Sequence, residues 1–301
     1  MNHKLILSAV LALAAASAQA AGPGTTGASF LKVGVGAREL AMGSAASVLT
    51  EGAGAANWNP AKLAGLKGKH LSASYNMLFI DESQGYLGFA SELKDDKGVI
   101  GGGLNYLTVG DIERRAGDTE TPDSLFDSNN MALAFTYARA EVKPGLALGA
   151  SLKYISQDLD TQTDKAVALD LGSTYKLNDI YTAAFVIQNL GGKVGPDNLP
   201  LLFKGGVARA FLDGKLAAAA DVDWLAYDER FYLDLGAEYQ LNKSLAFRAG
   251  YQVGRAQDEL GGLTGLGAGL GLKFDRFSLD YAYVPFGDLG DTHRMTLGFN
   301  F

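Results

Sequence analysis

The chain has 301 residues, no cysteine, 26 Lys and Arg against 33 Asp and Glu, and 39 glycines beside only 7 prolines. The missing cysteines exclude disulfide frameworks, iron–sulfur clusters and thiol catalysis, and a formal net charge of −7 argues against nucleic acid as a partner, which requires a basic face. Hydrophobic residues make up 48% of the chain, which excludes disorder through low hydrophobicity, while a mean hydropathy of +0.05 is too low for membrane helices, each needing ~20 consecutive apolar residues.

Residues 1–20 carry Lys4, an apolar run from Leu5 to Ala16, and Ala18-Gln19-Ala20, the small-x-small form that a signal peptidase accepts. They predict an export signal cut before Ala21. Lipoprotein attachment is ruled out because no cysteine follows the run. Residues 21–68 then show no alternation: they are rich in Gly, Ala and polar residues, with one weakly helical stretch around 38–49 and the group Asn57, Trp58, Asn59, Pro60 and Ala61.

From His70 onward the chain reads as short alternating segments cut by turn residues, the pattern of half-buried strands. Strands are predicted at 70–79, 84–93, 98–109, 129–139, 145–156, 165–176, 181–189, 201–211, 215–225, 230–240, 244–253, 263–273, 276–284 and 292–301. Every second connection is a tight polar turn, such as Asn178-Asp179, Asp213-Gly214, Asn242-Lys243 and Asp275-Arg276; the intervening ones, at 110–128, 157–164, 190–200, 254–262 and 285–291, are longer. Short turns on one rim and long loops on the other mark an outer-membrane barrel.

Successive side chains in a strand point to opposite sides. Met295, Leu297, Phe299 and Phe301 share one face of the last segment, and Arg294, Thr296, Gly298 and Asn300 the other. With an export signal and Tyr137, Tyr154, Tyr175, Trp224, Tyr239 and Tyr283 near strand ends, the apolar face is assigned to lipid. The terminal pattern of Phe299 and Phe301 resembles the signal read by the bacterial barrel-assembly machinery. The fold class expected is all-β: a 14-stranded antiparallel transmembrane outer-membrane β-barrel of residues 69–301, holding residues 21–68 in its lumen as a hatch or plug. About eight strands already fill a barrel with side chains alone, so fourteen need a filler.

Gly265, Gly267, Gly269 and Gly271 fall on the inward face of the twelfth strand, removing a stripe of side chains where the plug backbone can lie close. Gly101, Gly102 and Gly103 in the third strand do the same, or mark a bend that opens the wall sideways. Inward parity brings Asp170, Asp221, Asp223, Asp234, Glu238 and Asp280 into the lumen with Lys153, Arg248 and Arg294, a charge network in which pairing lowers the penalty of burial. If the 242–243 turn sets the register, Arg248 faces Gly236, with Asp234 and Glu238 on its diagonals. Catalysis has little support: no G-x-S-x-G, no metal-ligand spacing and no cofactor motif is present, and His3, His70 and His293 stand apart from any nucleophile.

The motifs Gly24-Thr25-Thr26-Gly27-Ala28, Phe30 to Arg38, Met42-Gly43 and Trp58-Asn59-Pro60-Ala61, with Asp280 to Gly287, Leu289-Gly290 and Thr292-His293-Arg294, resemble the opening and close of the PorV/PorQ family. That family is similar to the FadL group of hydrophobic-compound transporters. The resemblance implies a fourteen-stranded barrel in outer-membrane lipid, a hatch carrying Asn59, Pro60 and Ala61, and a lateral opening at the third-strand glycines. It implies passage or binding of hydrophobic small molecules. The alternative it implies is a PorV-like role in type IX secretion, with secretion subunits and the C-terminal signal domains of cargo as partners. A structural barrel without traffic is a third reading.

Overall fold

The computed structural model describes residues 24–79, 82–255 and 261–301; the expected export signal at 1–20 lies outside the described residues. The described strands are β1 (Lys69–Met77), β2 (Glu82–Glu92), β3 (Val99–Arg114), β4 (Ser124–Lys143), β5 (Leu146–Leu159), β6 (Gln162–Lys176), β7 (Tyr181–Gly191), β8 (Lys193–Val194), β9 (Asp197–Asn198), β10 (Leu202–Phe211), β11 (Leu216–Leu225), β12 (Arg230–Gln240), β13 (Leu245–Val253), β14 (Leu266–Phe274), β15 (Phe277–Pro285) and β16 (Asp291–Asn300). β8 and β9 pair only with each other, and the other fourteen close into an antiparallel barrel. Closure runs through β1 and β16, from His70 opposite Asn300 to Met77 opposite His293. Beyond the last pair, Lys69 and Phe301 exchange two backbone hydrogen bonds of 2.9 Å.

The distribution of side chains is that of a membrane barrel. In β1, Leu71, Tyr75 and Met77 are exposed while Ser72, Ser74 and Asn76 are buried. Leu297 and Phe277 are 60% and 61% exposed. Residues so placed must meet lipid, since a water-exposed apolar band of this extent is foreign to a soluble monomer. The backbone has no unpaired edge within the closed wall, which the hydrocarbon requires.

Two expected loops are largely strand. β3 and β4 leave only residues 115–123 between them, and β5 and β6 leave only Asp160 and Thr161. In both hairpins the ladder continues through polar residues such as Asp111, Glu113, Asp158 and Asp164, without the apolar alternation that marks a lipid-facing strand. The expected strand start at 263 is also corrected: β14 begins at Leu266, because Gly265 has φ 95° and its carbonyl accepts from the Gln252 N–H.

The N-terminal segment runs through a 3₁₀ turn (Ser29–Lys32), the single helical turn α1 (Ala37–Ala41) and 3₁₀ turns at Ala53–Asn57 and Pro60–Gly65. The helix expected around 38–49 stops early because Gly43 and Ser44 take positive φ. The segment touches inward residues around the circumference: Asn76, Gln84, Gln157, Gln188, Lys204, Asp221, Glu238 and Thr296 all hydrogen-bond to it, as does the Ser173 carbonyl. It therefore lies inside the barrel.

Candidate functional site

The site is the lumen. Glycine makes the close approach of segment and wall possible. A Cβ added at Gly149, Gly172, Gly236, Gly250 or Gly267 would collide with atoms of Leu40, Met42, Asn59, Pro60 or their neighbours. The stripe expected on the twelfth strand is only partly of this kind. Gly267 and Gly269 face Leu40 and Ala41, whereas Gly271 makes room for the Arg248 guanidinium and Gly265 lies before the strand. Gly101, Gly102 and Gly103 do not open the wall: they stay in continuous register with β2 and β4, and the register shift in β3 comes later, between Val109 and Ile112. Gly101 gives room to Leu63, and Gly103 to the Tyr86 ring.

Asn59 anchors the segment. Its side chain accepts from the Ala61 N–H at 3.0 Å, capping the turn that begins at Pro60, and its amide donates to the carbonyls of Ser47 at 2.8 Å and Ser173 at 3.2 Å. Gln188 donates to the Asn57 carbonyl, and the Trp58 indole to that of Val35.

Two ion clusters join segment and wall. At the end where β1 starts and β16 finishes, Arg38 grips Glu238 with two bonds of 2.8 Å, Arg248 reaches the same carboxylate at 2.5 Å, and Arg248 also holds Asp280 at 2.6 Å. Arg248 lies directly opposite Glu238, and Gly236 opposite Gly250. The expected pairing of Arg248 with Gly236 is thus corrected, since Leu241 and Asn242 bond back to Leu245 and shift the register. Farther up, Lys204, 1% exposed, sits 2.8 Å from Asp223, 3.4 Å from Asp234 and 3.8 Å from Asp221, with its ammonium over the Trp58 ring. Asp221 also accepts from the Ser47 N–H and hydroxyl. Lys153 and Asp170 pair at 2.6 Å beside a bulge in which the Asn189 N–H donates to Asp170.

Arg294 departs from the expected network. It is 1% exposed but has no carboxylate within ion-pair distance among the described residues, and donates instead to the Gly34 carbonyl and the Thr292 hydroxyl. Its cross-strand neighbours, Asn76 and Ala282, carry no acid. Lys204, Arg38 and the Lys32–Asp228 pair at 3.3 Å escaped the sequence reading. Inward parity would have found Lys204; nothing local marks Arg38 as a partner of Glu238, 200 residues away.

The segment divides the lumen. An outer cavity of 390 Å³ is lined by Leu31, Trp58, Leu202, Leu225 and Tyr232 together with polar groups, and one of 790 Å³, lined by Lys62, Glu39 and Arg38, opens toward the rim where β1 starts and β16 finishes. Burial pushes the Glu39 carboxyl above its ordinary range, against the pull of Arg38, and pushes the Lys62 ammonium down. Phe299 packs against Phe277 at 4.6 Å and Phe301 at 5.2 Å, closing the aromatic rim at the seam.

Fold and lumen together define an outer-membrane β-barrel filled by its own N-terminal segment. The family model for type IX secretion system protein PorV matches residues 16–200, more than half of the chain, and the protein belongs to that family. No curated protein matches it in sequence. Among solved structures it is similar to the Pseudomonas putida toluene transporter TodX (16% identity, 89% of this chain and 99% of that one, TM-score 0.63). It is also similar to the Ralstonia pickettii toluene transporter TbuX (16%, 89% and 98%, 0.61) and a Pseudomonas aeruginosa FadL homologue (14%, 89% and 99%, 0.60). At these identities the likeness concerns the fold.

Proposed function

We propose that the barrel admits small, largely hydrophobic molecules from outside the cell into the outer cavity and passes them through the lumen. The observation that carries this reading is the cavity itself: enclosed by the wall, floored by Trp58 and sided by Leu31, Leu202, Leu225 and Tyr232. Its volume falls within the ~300–1,000 Å³ of small-molecule sites. The named toluene transporters of the same fold support it. In this reading the chain is exported with residues 1–20 removed, assembled through the Phe299 and Phe301 end, and held in outer-membrane lipid, with the N-terminal segment as a hatch. Uptake of labelled toluene or fatty acid by a deletion strain, with and without the restored gene, tests it; equal uptake together with no binding to the purified barrel overturns it.

The family match favours a second reading, a subunit of type IX secretion that receives the C-terminal signal domains of exported proteins. It predicts that secreted cargo accumulates in the periplasm of the deletion strain. Normal secretion there removes it.

A further inference from the structure

A chain of buried polar contacts crosses one side of the outer cavity and stops short at both ends. Asp223 Oδ2 meets Lys204 at 2.8 Å, Lys204 meets Asp234 at 3.4 Å, Gln252 donates to Asp234 at 2.7 Å, and Arg255 Nε donates to Gln252 Oε1. The free ends are Asp223 Oδ1 and Arg255 Nη1, both buried and without a hydrogen-bond partner among the described residues. Asp223 is only 7% exposed. Of the unpartnered buried side-chain atoms among the described residues, these two alone line the outer cavity.

The two ends are opposite in chemistry. A carboxylate oxygen only accepts and a guanidinium N–H only donates, and leaving either unmet costs ~1–3 kcal/mol, more where the group is charged. They stand about two strand spacings of ~5 Å apart, from β11 to just beyond β13. Tyr232, directly opposite Asp223 in the register, lines the cavity between them and lies within electrostatic reach of both. The Arg255 guanidinium is backed by the Phe286 ring at 4.7 Å, and Trp58 and Leu225 offer apolar surface for the remainder of a ligand. A neutral hydrocarbon satisfies neither end and a singly charged one satisfies half.

We infer that the outer cavity binds a compact zwitterion with an apolar body, its ammonium on Asp223 and its carboxylate on Arg255, an aromatic amino acid being the simplest example. This rests on the cavity being the ligand vestibule and names its ligand class more closely. The test titrates full-length protein in detergent with L-phenylalanine, phenethylamine, 3-phenylpropionate and ethylbenzene. Trp58 fluorescence is followed in a Trp224→Phe background, which removes the only other tryptophan. Phenylalanine is expected to bind at least tenfold more tightly than the other three. Asp223→Asn should abolish its advantage over 3-phenylpropionate and leave the latter unchanged; Arg255→Gln should do the converse with phenethylamine. Unboiled gel mobility confirms assembly, and the unsubstituted pocket decides the matter if a variant fails to assemble. Phenylalanine binding no tighter than ethylbenzene, or both substitutions weakening all four ligands alike, overturns the inference. Ethylbenzene binding alone would leave the hydrophobic reading standing, and binding of none of the four would remove both.

Discussion

Lys204→Met is the sharpest test of how the segment is held. Among the described residues Lys204 is the cation within ion-pair distance of Asp221, Asp223 and Asp234, all buried. Two of the three acids have other donors: Asp221 keeps the Ser47 N–H and hydroxyl, and Asp234 keeps Gln252. Asp223 keeps none, since its Oδ1 has no partner. The loss therefore concentrates on one stranded carboxylate, ~3–5 kcal/mol for a broken buried pair, with ~0.5–2 kcal/mol more from the cation–π contact with Trp58. Lys204→Met/Asp223→Asn should recover most of the first quantity, and Asp223→Asn alone should stay within ~1 kcal/mol of the parent because it relieves excess negative charge. Urea unfolding of the detergent-solubilised barrel, read as the loss of heat-modifiable gel mobility, measures all four proteins. A Lys204→Met variant as stable as the parent, or no more stable after adding Asp223→Asn, refutes the reasoning.

Asn59→Ala removes a cap worth ~0.5–2 kcal/mol and two donated bonds of ~0.5–1.5 kcal/mol each; limited proteolysis should then nick residues 24–66 while the barrel keeps its mobility. Gly149→Val pushes into Pro60 and Ala61, whereas Gly205 has nothing within 4 Å, so planar-bilayer conductance should rise for the first substitution and stay unchanged for Gly205→Val. Deleting Phe301 removes both backbone bonds to Lys69 and should lower the yield of heat-modifiable barrel in outer-membrane fractions, with total synthesis unchanged.

The wall was legible because lipid imposes a binary rule on every strand: Met295 and Leu297 must face out, Arg294 and Thr296 in. Where lipid is absent the rule lapses, which is why the upper parts of β3 to β6 were read as loops. The inward acids Asp221, Asp223 and Asp234 were readable from parity, but their partner depends on which strands adjoin and on what the segment brings. The cross-strand partner of Arg248 hung on one residue of turn geometry. Glycine misled where it was conspicuous and was overlooked where it mattered: the run at 101–103 sits in an unbroken ladder, while isolated Gly149, Gly172 and Gly250 receive the segment. A lone glycine looks the same in sequence whether it faces lipid, like Gly205, or a neighbouring backbone.

The positions of the two clusters bear on how anything could pass. Arg38 belongs to the cluster nearer the Lys69–Phe301 rim and Ser47 bonds to the upper one, so segment residues 38–47 are fastened to the wall at both levels. Withdrawing the segment whole would break the Arg38–Glu238 pair at ~3–5 kcal/mol and the two Ser47 hydrogen bonds to the Asp221 carboxylate at ~1.5–3 kcal/mol each, and at 1.4 kcal/mol per factor of ten the withdrawn state would be about four to eight orders of magnitude rarer. Spontaneous expulsion is therefore too rare to serve transport. Passage must instead use a displacement that leaves Arg38 on Glu238 while freeing a neighbouring stretch, or a partner whose binding offsets the loss. Residues 24–33, held by Asp228, Gln157 and Asn198 at the outer end, touch neither cluster, and can shift without disturbing either.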